Sequence, residues 1–99
     1  MPTTVNVQTG EASATIKVSN KFVWTNTSSS ACTVSAPSGT NNAWFTTNPV
    51  TTPPSISVPA NGNSAEVTAA IASTGSGWGY LVNGNTPSGN PKVPIGSSR

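Results

Sequence analysis

Apolar and polar residues alternate with a period of two along most of the chain. Val5 and Val7 open the pattern, Ala14, Ile16 and Val18 alternate with Thr15, Lys17 and Ser19, and Phe22, Val23 and Trp24 form a denser run. Cys32, Val34 and Ala36 share one face of the next segment; a bulky patch follows at Ala43, Trp44 and Phe45. Ile56 and Val58 make a brief strand that Pro59 stops, Val67, Ala69 and Ile71 line one face of another with Glu66 and Thr68 opposite, and Trp78 to Val82 and Lys92 to Ile95 close the series. Side chains two apart point to the same face of a strand, so each segment reads as a half-buried strand. No helical period of useful length is present.

Turn residues separate these segments. Asn-Gly occurs at Asn61-Gly62 and Asn83-Gly84, and both residue types tolerate positive φ. The first is expected to close a hairpin or a corner between sheets. The Asn48 to Pro54 stretch carries three prolines and reads as an extended surface crossing. The spacing predicts an all-β fold, a Greek-key β-sandwich of about seven to nine short strands. Ninety-nine residues make one domain, 1–99, with 1–4 and 96–99 expected to fray.

Composition changes the picture by what it withholds. Charged residues are 6% and hydrophobic residues 33% of the chain, so Ser, Thr and Asn supply the remaining polarity. The formal charge of +2 is spread over Lys17, Lys21, Lys92 and Arg99, too sparse for the basic footprint of a nucleic-acid binder. No run of eighteen apolar residues exists, so no membrane insertion is expected. One cysteine, Cys32, makes no internal disulfide and leaves the redox compartment open; an extracellular or cell-surface location is favoured.

Histidine is absent and the only carboxylate side chains are Glu11 and Glu66, which removes the usual general bases, nucleophile dyads and zinc or iron ligand sets. Glu66 on an outward strand face and Glu11 in a turn do not make a glycosidase pair. Catalytic residues, cofactor and metal are all expected to be none. Cys32, on the face of Val34, reads as an inert packing thiol. Asn26-Thr27-Ser28 fits the N-glycosylation acceptor pattern, a match expected by chance in a chain this rich in Asn, Ser and Thr.

Several segments resemble the cupredoxins, small copper-binding β-sandwiches. Val23-Trp24-Thr25-Asn26 is similar to the strand leading to the first ligand, and Val58-Pro59-Ala60-Asn61-Gly62-Asn63-Ser64 to the proline-glycine corner. Trp78-Gly79-Tyr80-Leu81-Val82 is similar to the strand carrying the copper cysteine, and Pro91-Lys92-Val93-Pro94-Ile95 to the closing strand. The ligand positions would then fall near Cys32, at Val82 and near Asn85, none of which is histidine, and the only methionine is Met1. The resemblance implies a metal-free relative without electron-transfer chemistry.

Tryptophan supplies the remaining candidates. Trp24 and Trp78, the latter sharing a face with Tyr80 and Val82, are expected in the core. Trp44, ringed by Asn41, Asn42, Thr46 and Asn48, is the expected ligand-binding surface residue, a platform for stacking on a sugar. Two functions follow. The first is a non-catalytic structural or interaction module, self-associating or binding a protein partner through poorly charged sheet edges. The alternative is a carbohydrate-binding module or small lectin built on Trp44.

Overall fold

The computed structural model describes residues 3–37, 43–48, 50–51, 53–73 and 77–97, and among them there is no helix. The strands are β1 (Thr3–Asn6), β2 (Ile16–Lys17), β3 (Lys21–Thr25), β4 (Cys32–Ser35), β5 (Phe45–Thr46), β6 (Ser55–Val58), β7 (Val67–Ala69), β8 (Leu81–Val82) and β9 (Ile95–Gly96). Each overlaps a segment that alternation marks out, several of them shifted or shortened by a residue or two. The chain is all-β.

Hydrogen bonding sorts the strands into a four-stranded sheet ordered β1-β3-β7-β5, a three-stranded sheet ordered β6-β4-β8 and the pair β2-β9. β1 runs parallel to β3 with Val5 beside Trp24, and β2 runs parallel to β9 with Ile16 beside Ile95. The remaining pairings are antiparallel, with Phe22 opposite Val67, Phe45 opposite Ala69, and Val34 between Ile56 and Val82. Of the termini expected to fray, Thr3 and Thr4 pair with Phe22 and Val23, and Gly96 pairs with Lys17, so a parallel neighbour meets the backbone of these three residues. Residues 1–2 and 98–99 lie outside the described residues.

The turns divide by chemistry. Asn83 and Gly84 both have positive φ, 52° and 84°, and Val82 and Asn85 exchange two backbone hydrogen bonds of 2.8 and 3.0 Å across them. That is the type I′ hairpin for which Asn-Gly is suited. Asn61 also has positive φ, 50°, but Gly62 does not, and the dipeptide instead turns the chain from β6 in one sheet to β7 in another.

One core collects Val5, Phe22, Trp24, Phe45 and Val67 from the four-stranded sheet, Val34, Val58 and Tyr80 from the β4 side, and Ile16, Val93 and Ile95 from the closing pair. Trp24 sits at its centre. Its ring meets Phe22 at 5.6 Å, Phe45 at 5.8 Å and Trp44 at 5.9 Å, all near edge-to-face, and Tyr80 at 4.8 Å. These are the tilted arrangements that aromatic quadrupoles favour, each worth about 0.5–1.5 kcal/mol beyond burial.

Candidate functional site

Trp44 is not on the surface. It is 0% exposed, stacks on Phe22 at 6.1 Å with the ring planes 4° apart, and its Nε1 donates to the Gly79 carbonyl at 3.0 Å. Its polar neighbours in sequence suggested display, but Phe45 follows it, and the pair anchors the edge of the four-stranded sheet from inside. The sugar-stacking platform is therefore withdrawn. Of its predicted companions, Asn41 and Asn42 lie outside the described residues. Thr46 is half-buried opposite Thr68, and Asn48 is exposed.

Asn48 instead lines a shallow cleft of about 290 Å³ with Lys21, Ala65, Glu66 and Thr68. Lys21, Thr68 and Thr46 form one row across β3, β7 and β5 on the solvent face, because their registers align. Glu11 borders a different cleft, with Lys92 and Pro94, so the two carboxylates do not share one.

Cys32 begins β4, Val82 lies on the adjoining β8 opposite Val34, and Asn85 pairs back onto Val82. Their side chains are a thiol, an alkyl group and an amide, and the described residues hold no group of three His, Cys, Asp or Glu side chains able to grip a metal ion. Cys32 is half-buried and packs against the core, and desolvation pushes its thiol above the ordinary value of 9.0. A raised thiol is less often a thiolate, so this environment suppresses reactivity.

Tyr80 lies beneath. Its hydroxyl donates to the Val7 carbonyl, joining segments 73 residues apart. Burial, with a smaller push from the Cys32 thiolate, raises its pKa from 10.0 to about 12. The folded state thus holds this proton more tightly than the unfolded chain. The stabilisation is present in full below pH 10 and is lost as pH rises from about 10 to about 12. Deprotonation also sets a phenolate against a carbonyl oxygen. Tyr80→Phe is expected to be destabilised by about 1–3 kcal/mol at neutral pH, since Val7 loses its donor. The wild-type advantage over Tyr80→Phe, followed by chemical denaturation, is expected to vanish across that alkaline window; an advantage constant with pH contradicts the assignment.

Asn26, which the sequence offers only as a glycosylation match and as the last residue of the Val23-Trp24-Thr25-Asn26 segment, is a buried hub. It is 2% exposed. Its Nδ2 donates to the carbonyls of Ser30 and Pro59 at 2.8 and 3.2 Å, and its Oδ1 accepts from the Gln8 side chain and the Ser28 amide, each at 2.9 Å. The Thr27 hydroxyl, the third-residue partner's neighbour in the pattern, is itself bound to Gln8 at 2.9 Å. With both amide hydrogens engaged inside the fold, Asn26 has nothing to offer a glycosyl donor once folded. The signal was present in the sequence only as a lone Asn after a hydrophobic run.

The sheet edges differ in how they are closed. Residues 11–13 cover the outer side of β1, with the Asn6 amide donating to Glu11 and the Ser13 amide to Thr4, both at 2.9 Å. Asn85 covers β8, and Ser73 covers β9 through bonds to both the amide and the carbonyl of Ile95. β6 has no such cover among the described residues. The Ala36 amide donates to the Pro54 carbonyl, so by antiparallel alternation the backbone groups of Ile56 and Val58 face β4 and those of Ser55 and Ser57 face outward. The Ser55 amide is capped by the Thr51 hydroxyl at 3.0 Å; Ser57 has no such cap among the described residues. Val50, immediately before Thr51, is 73% exposed, the one large hydrophobic side chain so displayed among the described residues.

A search of family models, of curated proteins and of solved structures finds nothing that matches this chain.

Proposed function

We propose that the chain is a non-catalytic interaction module, a Greek-key β-sandwich of cupredoxin-like or immunoglobulin-like type without metal ligands, that associates by adding a strand to its β6 edge. The partner we favour is a second copy of the same chain. The observation that carries this reading is the uncapped Ser57 on an outermost strand of four residues, Ser55–Val58, that holds no charge. Charge on an edge is the usual deterrent to pairing, and here it is missing.

The prolines set the strength. Pro53, Pro54 and Pro59 bracket β6 and supply no amide donors, so an incoming strand gains a few backbone bonds at about 0.5–1.5 kcal/mol each. One such contact is weak. It becomes effective where many copies are held together, as in a surface assembly, because linked weak contacts multiply. The sequence inventory supports the non-catalytic half of the reading: no histidine, and two glutamates that border separate clefts.

Size-exclusion chromatography with light scattering over a rising concentration series tests it. The wild-type protein is expected to associate reversibly at high concentration. Ser57→Lys, which places a charge on the open edge while leaving the core untouched, is expected to remain monomeric with an unchanged melting temperature. A wild-type protein that stays monomeric throughout, or a variant that associates equally well, defeats the proposal.

A further inference from the structure

We propose that Asn61 is a site of spontaneous deamidation, and that the fold makes it react ahead of Asn83, the other asparagine followed by glycine. In this chemistry the backbone nitrogen of the following residue attacks the side-chain carboxamide carbon. Glycine permits the approach because it has no side chain in the way, which sets these two positions apart from Asn63, followed by Ser64, and from Asn90, followed by Pro91.

The two carboxamides are held differently. Asn83 lies in the type I′ hairpin with its Oδ1 accepting from the Thr33 amide at 2.9 Å, while its own amide donates to the Thr33 carbonyl at 2.8 Å. Turning its carboxamide carbon onto the Gly84 nitrogen strips the Thr33 amide of its acceptor. Asn61 is exposed, and its side chain makes no hydrogen bond to any described residue. Its amide donates to the Ser28 carbonyl at 3.0 Å, so the backbone is fixed and the carboxamide is left to rotate.

The step balances with water as the co-reactant. The Gly62 nitrogen forms a bond to the Asn61 carboxamide carbon, its proton is relayed through solvent to the departing amide nitrogen, the bond from that carbon to the amide nitrogen breaks, and ammonia leaves. Water then opens the cyclic imide at one of its two carbonyls, giving aspartate or isoaspartate. The aspartate product adds a carboxylate to a chain that has two and lowers its formal charge from +2 by one. The isoaspartate product lengthens the main chain between the Asn61 amide, bound to Ser28, and the Gly62 carbonyl, which accepts from the Asn26 amide at 2.8 Å. That product therefore loosens the corner on which the Asn26 hub depends.

Folded and denatured protein are incubated side by side in mildly alkaline buffer and cleaved after glutamate. Glu66 lies between the two sites, so each falls in its own fragment, and tandem mass spectrometry places the amide-to-acid mass gain on a residue. In the folded protein Asn61 is expected to convert about tenfold faster than Asn83, the effect of one amide hydrogen bond, and in denaturant the two rates should converge. Gly62→Ala should slow conversion at Asn61 and leave Asn83 unchanged. Equal rates in the folded protein, Asn83 reacting first, or a folded-state preference that persists in denaturant would each overturn the proposal.

Discussion

Gly77→Ala is expected to unfold the protein or to cost more than about 4 kcal/mol, beyond the range of ordinary point substitutions. A Cβ at this position would lie 2.5 Å from the Val93 carbonyl carbon and 2.6 Å from the Pro94 nitrogen. Both are backbone atoms of the segment before β9 to which Trp78 forms an isolated bridge, so relief would require the main chain itself to move. The φ of +115° adds strain that an L side chain rarely accepts. In a domain of this size a loss of about 4 kcal/mol lowers Tm by roughly 15–30 °C. Gly84→Ala separates the two causes. Its φ is also positive, +84°, yet nothing lies within 4 Å of the added carbon, so conformational strain acts alone and about 1 kcal/mol is expected. Thermal melts of the pair by circular dichroism check the difference; comparable losses would show that close packing at Gly77 is not what holds it.

Trp44→Ala is expected to lose about 3–5 kcal/mol, the cost of removing a large aromatic from a closed core. It takes away the stack on Phe22, the edge contact with Phe45 at 4.8 Å and the donor that satisfies the Gly79 carbonyl. Trp24→Phe should be milder for its loss of volume. The Trp24 Nε1 is buried with no hydrogen-bond partner among the described residues, and replacing it by carbon removes that donor, an offset of about 1–3 kcal/mol. Denaturant midpoints measured on both variants rank them. A Trp44→Ala protein as stable as the parent would mean that the ring is displayed after all.

The strands were legible because alternation is a local property. Phe22 and Trp24, Val34 and Ala36, Val67 and Ala69 all face the core as their spacing implies. The turns were legible as turns for the same reason: Asn83-Gly84 needs no distant partner to adopt its φ values, although the sequence did not mark it as a hairpin. What local reading missed depends on who sits opposite. Trp44 is buried because Phe22 and Trp24 cover it, and nothing in residues 41–48 records those partners. Asn61-Gly62 has the same letters as Asn83-Gly84, and its hairpin and corner readings are separated only by its bonds to Ser28 and Asn26, more than thirty positions upstream, which make it the corner. The open edge at Ser57 is likewise a statement about absent neighbours. In sequence it shows only as Ser-Ile-Ser-Val between prolines.

The pairing of Ile16 with Ile95, and of the Tyr80 hydroxyl with Val7, fastens early residues to late ones. A nascent polypeptide emerging from the ribosome has no strand partner for Ile16 until Ile95 is free, whereas the four-stranded sheet can close once Ala69 has emerged. The β2-β9 pair is therefore the last to form, and the long loop that must be drawn in makes that closure slow. Until then an apolar strand stands uncovered, which is the kind of surface a chaperone shields.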